Sequence, residues 1–551
     1  MKKNYIFILV LICFTTIKAN NIIISNVSLS EQNLTTRTCK IKFDVTWDNS
    51  WRNSSIPGNW DAAWIFIKAR QSLSPYLHVN ILDYGYSVPN GATMQIPADR
   101  KGFFLYRSSD GSGNVNFTDC TLLWDYGQAG IPNDATIELK VFAIEMVYVP
   151  QGSFKAGDNA TWYYSGGSGH YGYFKQGTAD NEPWNILGED PITTTNTASD
   201  GYYYNSWYWI WTPQGTINSG SGEIFTIPDY FPKGYNSVYC MKYEISQQQY
   251  TDFLNSLDNQ TQQNNRIESN LAEIPFTNKY IMSNSATVNY RNSIACSLTP
   301  NGNGYNQFFC DLNNNNVANE SDDGHNIACN FLKWPDVASY LDWAALRPMT
   351  ELEFEKICRG PNEAVGLEFA WGTSSFATTP YSIDLSGSAN EIISGGLSNN
   401  TGNASLSSTS SSGPLRCGIF AASTSNPTRM ITGATYYGVM EMSGNVTEFC
   451  VSVGNVAGRA YNGQHGDGLL NPQGHANVDY WPGINGNTDH SQANIATITG
   501  GGVTASAGIG WRGGSIEGYP ILGYVSNRVA ACTYSPTRTY SQGGRGVRSA
   551  P

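Results

Sequence analysis

About the last forty residues most constrain what this chain can fold into. They run WRGGS over Trp511–Ser515, SNRVAAC over Ser526–Cys532 and GGRGVRSAP to the end. The glycine pairs mark tight turns that side chains with a Cβ enter poorly. Between the first two motifs lies IEGYPILGYV, Ile516 to Val525, which contains no cysteine.

The chain has 551 residues, more than one ordinary domain holds, so two or three are expected. Its net charge is 32 − 44 = −12, which makes a nucleic-acid backbone a poor partner. Charged residues are 14% and aromatic residues 13%, with 56 glycines. That composition favours a folded, loop-rich protein decorated with tyrosine over a disordered one.

The opening MKKNYIFILVLICFTTIKAN reads as a secretory signal. Lys2 and Lys3 are basic, Ile6 to Phe14 form the apolar core, and Ile17 and Ala19 suit cleavage after Ala19, giving a signal of 1–19. The apolar run is too short to span a bilayer, and no later segment reaches that length. Cys13 lies in the apolar core without the small residues expected before a lipidated cysteine. The mature protein is therefore expected to be secreted or at the cell surface, with no membrane span.

Ten cysteines remain without Cys13. An even number in an oxidising compartment permits disulfides, and Cys39–Cys120 and Cys296–Cys310 are plausible pairs. Cys358 and Cys450 lie among apolar residues and read as small buried hydrophobes. There is no CxxC, so a zinc ribbon is not expected.

Residues 20–142 look all-β. IIISNVSL, KIKFDVTW, AAWIFIKAR and ATIELKVFAI carry β-branched and aromatic residues, partly alternating, between turn clusters such as SSIPGN and DGSGN. A β-sandwich of immunoglobulin type fits this size. Trp47, Trp51, Trp60 and Trp64 read as core and edge packing, with a sugar-binding platform as the alternative.

The second domain spans 143–551, giving an α+β chain overall. Ser246 with Gln249 makes a capping box, followed by an apolar face at Tyr250, Phe253, Leu254 and Leu257. WPDVASYLDWAA predicts a second helix. RPMTELEFEKICRG predicts a third, capped by Thr350 and Glu353. Insertions rich in Gly, Asn, Ser or Tyr are expected near 159–222, 395–413 and 454–502, the second as a surface loop by composition.

Several landmarks occur in order: AIEMVYVPQGSFKAGD from Ala143, Pro348-x-Thr350-Glu351, AWG at Ala370–Gly372, GVMEMSGNVTEF at Gly438–Phe449, and the terminal motifs. Together they resemble the formylglycine-generating enzyme family, the sulfatase-modifying-factor fold. The resemblance implies an irregular C-type-lectin-like arrangement of few helices, short strands and long loops. In catalytic members a cysteine pair shortly after the GGS turn binds copper and oxidises a substrate cysteine; here that stretch has none. The scaffold's iron sulfoxide synthases need a histidine cluster, and none of the six histidines pair at helical spacing. His465 and His475 read as loop surface residues. Copper and iron are therefore not expected. The resemblance also implies structural calcium through Asn445 and Glu448, although Glu448 could equally pair with an arginine, and it implies bracing roles for Arg528 and Arg548.

A second metal signal is DLNNNNVANESD, Asp311 to Asp322, which resembles the calcium loops of EF-hands and dockerins. Asp311, Asn313 and Asn315 would give side-chain oxygens, Val317 its carbonyl, and Asp322 would close position 12. Asn316 stands where glycine is usual, and Asn tolerates a left-handed backbone. The alternative is a solvated Asn-rich turn.

The C-terminal segment also offers a recognition surface: Glu517, Tyr519, Tyr524, Asn527, Tyr534, Arg538 and Tyr540. Tyrosine gives contact area at low entropic cost, and Arg and Asn add directional hydrogen bonds. The leading expectation is a secreted, non-catalytic binder of a protein or glycan. A Tyr/Ser/Thr/Asn/Gly-rich terminus also resembles the variable targets of diversity-generating retroelements. The alternatives are a divergent metal-dependent oxidase or hydroxylase of the same superfamily and a structural part of a surface or secretion apparatus.

Overall fold

The computed structural model describes residues 21–72, 74–160, 174–176, 182–195, 201–204, 224–271, 278–297, 306–318, 320–406, 412–488, 501–532 and 536–551. The expected signal, most of 159–222 and Tyr534 lie outside them. The described chain is mostly sheet with few helices.

Strand Asn59–Gln71 explains the architecture. Its apolar run is continuous because both faces are covered. Ala63, Ile65, Ile67 and Ala69 enter one core with Ile41, Phe43, Val45, Phe117 and Leu122. Ala62, Trp64 and Phe66 face the other way, into a core with Tyr239, Phe253 and Trp343. Strand Thr38–Asn53 meets it at Arg52↔Trp60 and Asn53↔Asn59, then diverges to pair with Gly111–Asp125. The two layers thus close over a shared N-terminal core.

The sheet then continues into the rest of the chain, in the order Ile23–Asn33, Thr38–Asn53, Asn59–Gln71, Ile137–Val149, Val238–Met241, Val547–Ser549. Residues 142 and 143 lie within one unbroken strand. Ile137 to Val147 pair with Gln71 to Asp61, and Met146 to Val149 also pair with Met241 to Val238. Polar ties reinforce this seam: the Trp64 indole N–H donates to the Ala344 carbonyl at 2.9 Å, and Lys242 Nζ sits 2.9 Å from Glu145 and 3.7 Å from Asp61.

Both capping boxes form. Ser246 and Gln249 cap helix Gln247–Leu254, and Thr350 and Glu353 cap Glu351–Arg359. Helix Trp334–Trp343 is buried all round rather than on one side. A small sheet sets Met349–Thr350 parallel to Glu448–Val451, which pairs antiparallel with Ile509–Arg512.

Three expectations are corrected. The ten described cysteines are all buried free thiols. Register keeps the suggested pairs apart: Cys39 faces Trp124 while Cys120 faces Phe43, and Cys296 faces Phe308 while Cys310 faces Ile294. The 395–413 segment is not simply a surface loop, since Ala404 and Leu406 are buried with Phe369 and Trp371. His465 and His475 are half-buried and bonded rather than free on a surface. His465 Nε2 accepts from the Ser549 N–H, and His475 Nδ1 lies 2.8 Å from Arg266.

Candidate functional site

Beneath the WRGGS turn lies a lattice of buried ion pairs. Arg528 clasps Glu351 with Nε–Oε2 at 2.6 Å and Nη2–Oε1 at 2.9 Å. Arg512 Nη2 holds Glu355 Oε1 at 2.5 Å, and Arg359 reaches Glu355 and Glu368. Burial pushes the Glu351 carboxyl up, but Arg528 and Arg512 outweigh it and hold the carboxyl below its ordinary value. Arg548 pairs with Asp99 at 2.5 Å, tying the C-terminus to the N-terminal region. Where Arg512 Nη2 donates to the Val525 carbonyl at 3.0 Å and the Glu368 carbonyl accepts the Val525 N–H, the lattice meets segment 513–525. Gly513 (φ +88°) and Gly514 (φ +67°) make its turn in backbone that favours glycine.

Two of the seven proposed contact residues meet on the surface, and a third is exposed on its own. The Tyr540 hydroxyl comes near the Glu517 carboxylate, whose influence, followed by burial, pushes that hydroxyl up to about 12. Glu517 is exposed, and Tyr519 is 77% exposed. Three turn inward instead. Tyr524 packs on Phe369 at 4.8 Å between centroids. Asn527 is buried, donating to the Ile521 carbonyl and accepting from the Val529 N–H. Arg538 is a brace, with Nε 2.7 Å from Asp336 Oδ2 and Nη1 2.8 Å from Glu268; two carboxylates outcompete solvent for its guanidinium.

The sequence reading missed Tyr290, whose ring stacks on Tyr540 at 3.9 Å and 9°. Tyr290 (φ 45°) and Arg291 (φ 57°) are both left-handed, which is uncommon for bulky residues and concentrates at functional sites. Arg291 is locked by Glu391 and the Pro414 carbonyl. No local signal in NYRN marks a partner so far along the chain.

The thiols do not fit the copper chemistry of the catalytic relatives. Segment 516–525 forms turns and a short 3-10 helix, Pro520–Gly523, with no sulfur ligand. The next cysteine along the chain, Cys532, is buried with Sγ 3.0 Å from Ser452 Oγ, and burial pushes its thiol up to about 11. A Cu(I) site needs accessible thiolates.

Residues of both suggested metal stretches have other engagements. Asn445 Nδ2 donates to Glu244 at 2.5 Å and its Oδ1 accepts from Leu415 N–H. Arg545 Nη2 stands 2.7 Å from Glu448, an ion pair off hydrogen-bond alignment. In the second stretch, Asp311 is fully buried and bonded to Lys279 Nζ at 2.7 Å and to the Asn315 and Asn316 N–H groups. Asn313 and Asn315 instead turn their amide N–H groups to Glu320, and Asn313 also to Asp322. Val317 is 51% exposed. Glu320 and Asp323, which the EF-hand spacing did not select, join Asp322 with carboxylate oxygens all within 4.8 Å. Burial and the neighbouring acids push Asp323 up to about 6.

No curated protein matches the chain. A family profile described as sulfatase-modifying factor enzyme 1-like domain matches residues 208–507, more than half of the chain. That span holds both capped helices, the loop from Asp311 and the GNVTEF strand, so the chain belongs to the sulfatase-modifying factor enzyme 1-like family.

Proposed function

We propose that this chain is an exported, non-catalytic member of its family that binds a protein or glycan through its C-terminal face. The observation that carries the reading is the Tyr290–Tyr540 stack, with the Glu517 carboxylate near the Tyr540 hydroxyl. It presents aromatic area and a carboxylate acceptor beside a segment where catalytic relatives carry thiols. Tyr519 extends that face. In this reading the N-terminal layers are an immunoglobulin-like support and the remainder a C-type-lectin-like frame, and the chain acts outside the cell, in solution or on the surface. Among the described residues no helix is long and apolar enough to cross a membrane.

The test uses the mature full-length protein against arrayed glycans and extracellular proteins, with affinities from biolayer interferometry. Tyr540→Ala and Glu517→Ala are expected to weaken the selected ligand about 30-fold or more with unchanged circular dichroism. Copper-dependent aldehyde formation on a cysteine-containing peptide would overturn the reading, and so would a ligand indifferent to both substitutions.

A further inference from the structure

At the acidic end of the 311–323 loop, Glu320, Asp322 and Asp323 gather without an ion pair to any of the described residues. Glu320 and Asp322 are half-buried and exposed, but Asp323 is fully buried. One Asp323 oxygen, Oδ2, accepts the Glu320 N–H at 2.7 Å, whereas Oδ1 has no hydrogen-bond partner. A buried carboxylate oxygen left unpaired is costly. Here it belongs to a group whose three carboxylates converge within 4.8 Å. The facing groups from the loop are the Asn313 and Asn315 amides, which offer only partial positive charge. Lys279 is spent at the other end of the loop, on Asp311 and Asn316.

We propose that this loop binds one calcium ion through Glu320, Asp322 and Asp323, while the Asn313 and Asn315 amide oxygens, which accept the Asn315 and Val317 N–H groups, hold the turn around it. The donors are all hard oxygens on a flexible loop, which suits calcium better than magnesium, whose smaller shell demands near-ideal octahedral geometry. Asp311 then organises the loop with Lys279 rather than ligating. The ion would also clamp a neighbouring turn. Gly324 N–H donates to the Gly387 carbonyl at 2.9 Å, and a Cβ on Gly387 would collide with the Asp322 carbonyl. The site goes beyond the binding reading above and stands or falls separately from it.

The structure also supplies the probe. The Tyr280 hydroxyl lies 2.9 Å from both the Asp311 carbonyl and Asn314 Oδ1, placing an antenna against the loop. Terbium added to the full mature protein should luminesce under tyrosine excitation. Excess calcium should displace it from a single site, and magnesium at the same concentration should not. The Glu320→Gln/Asp322→Asn pair, which leaves the buried Asp323 intact, should weaken calcium at least 100-fold by calorimetry. Hydrogen exchange over 312–323 and 385–391 should slow with calcium in the wild type only. No saturable site, a calcium site indifferent to the double substitution, or equal displacement by magnesium would each overturn the proposal.

Discussion

Two acidic regions of this protein solve the same problem in opposite ways. Beneath the WRGGS turn, Glu351 and Glu355 are fully buried, and each meets a guanidinium, from Arg528, Arg512 or Arg359. At the 311–323 loop, Glu320, Asp322 and Asp323 converge with amides for neighbours. The lattice balances its charge from within the chain, and so it can serve as a rigid base under the C-terminal face. The loop leaves its charge open, and so its order can depend on the medium. Charge closure, rather than acidity, separates a brace from a site.

The largest expected effect breaks the closed side. Arg528→Met strands a buried Glu351 whose other guanidinium, Arg512 Nη1, is 3.6 Å away. Loss of one partner of a buried pair costs about 3–5 kcal/mol, read as the midpoint in urea denaturation. The sign with pH follows from the depressed Glu351 carboxyl. Its contribution is present above the unfolded value of about 4.3 and is lost as pH falls through the lower folded value. The variant should therefore lose less stability than the wild type on acidification below about pH 4.

Chelation opens the comparison from the other side. At calcium near 100 times its dissociation constant, removal should cost about 2.7 kcal/mol. The loss should add to that of Arg528→Met, since the two regions share no partner. A strongly non-additive result would mean that lattice and loop are one coupled unit.

Glu441 is a third solution, in which a proton closes the charge. Its Oε1 accepts the Gly418 N–H at 2.8 Å, and its buried Oε2 has no partner. Burial, opposed by the more distant Arg545 and Arg416, pushes the carboxyl up to about 7. Between about pH 4.5 and 7 the native state keeps a proton that the unfolded chain has lost, so stability falls as pH rises through that window. Glu441→Gln should gain about 2.5 kcal/mol on the wild type between pH 5 and pH 8. Thermal melts at the two pH values decide it; a gain of equal size at both would assign the effect to packing.

The helix that carries the closed side was legible in the sequence because its cap is local, whereas the ion pairs were not, since Glu351 meets Arg528 and Glu355 meets Arg512 from far along the chain. Ser246 with Gln249 and Thr350 with Glu353 are three residues apart, and a capping box needs nothing else. The open side was legible in place but not in detail. EF-hand spacing selected Asp311, whose carboxylate goes to Lys279 of a distant segment, and passed over Asp323, whose burial only the fold creates. Arg538 looked like a contact residue because Asp336 and Glu268 lie far off in sequence. The strand Asn59–Gln71 misled in a similar way. Its unbroken apolar run records two covered faces, and one of them is made by residues hundreds of positions later.

The smallest expected effect sharpens the comparison where it touches function. Tyr519 lies two residues beyond Glu517 in the chain, and at 77% exposure it contributes little to the fold. Tyr519→Ala should move the denaturation midpoint by less than about 0.5 kcal/mol. If the lattice only positions this face, ligand affinity must then fall without any change in stability, in calcium affinity or in the pH profile set by Glu441. A ligand that Tyr519→Ala leaves untouched while Tyr540→Ala abolishes its binding would shrink the contact to the Tyr290–Tyr540–Glu517 cluster. A destabilised Tyr519→Ala would instead show that the exposed ring closes part of the base, and that the division between brace and face is drawn one turn too early.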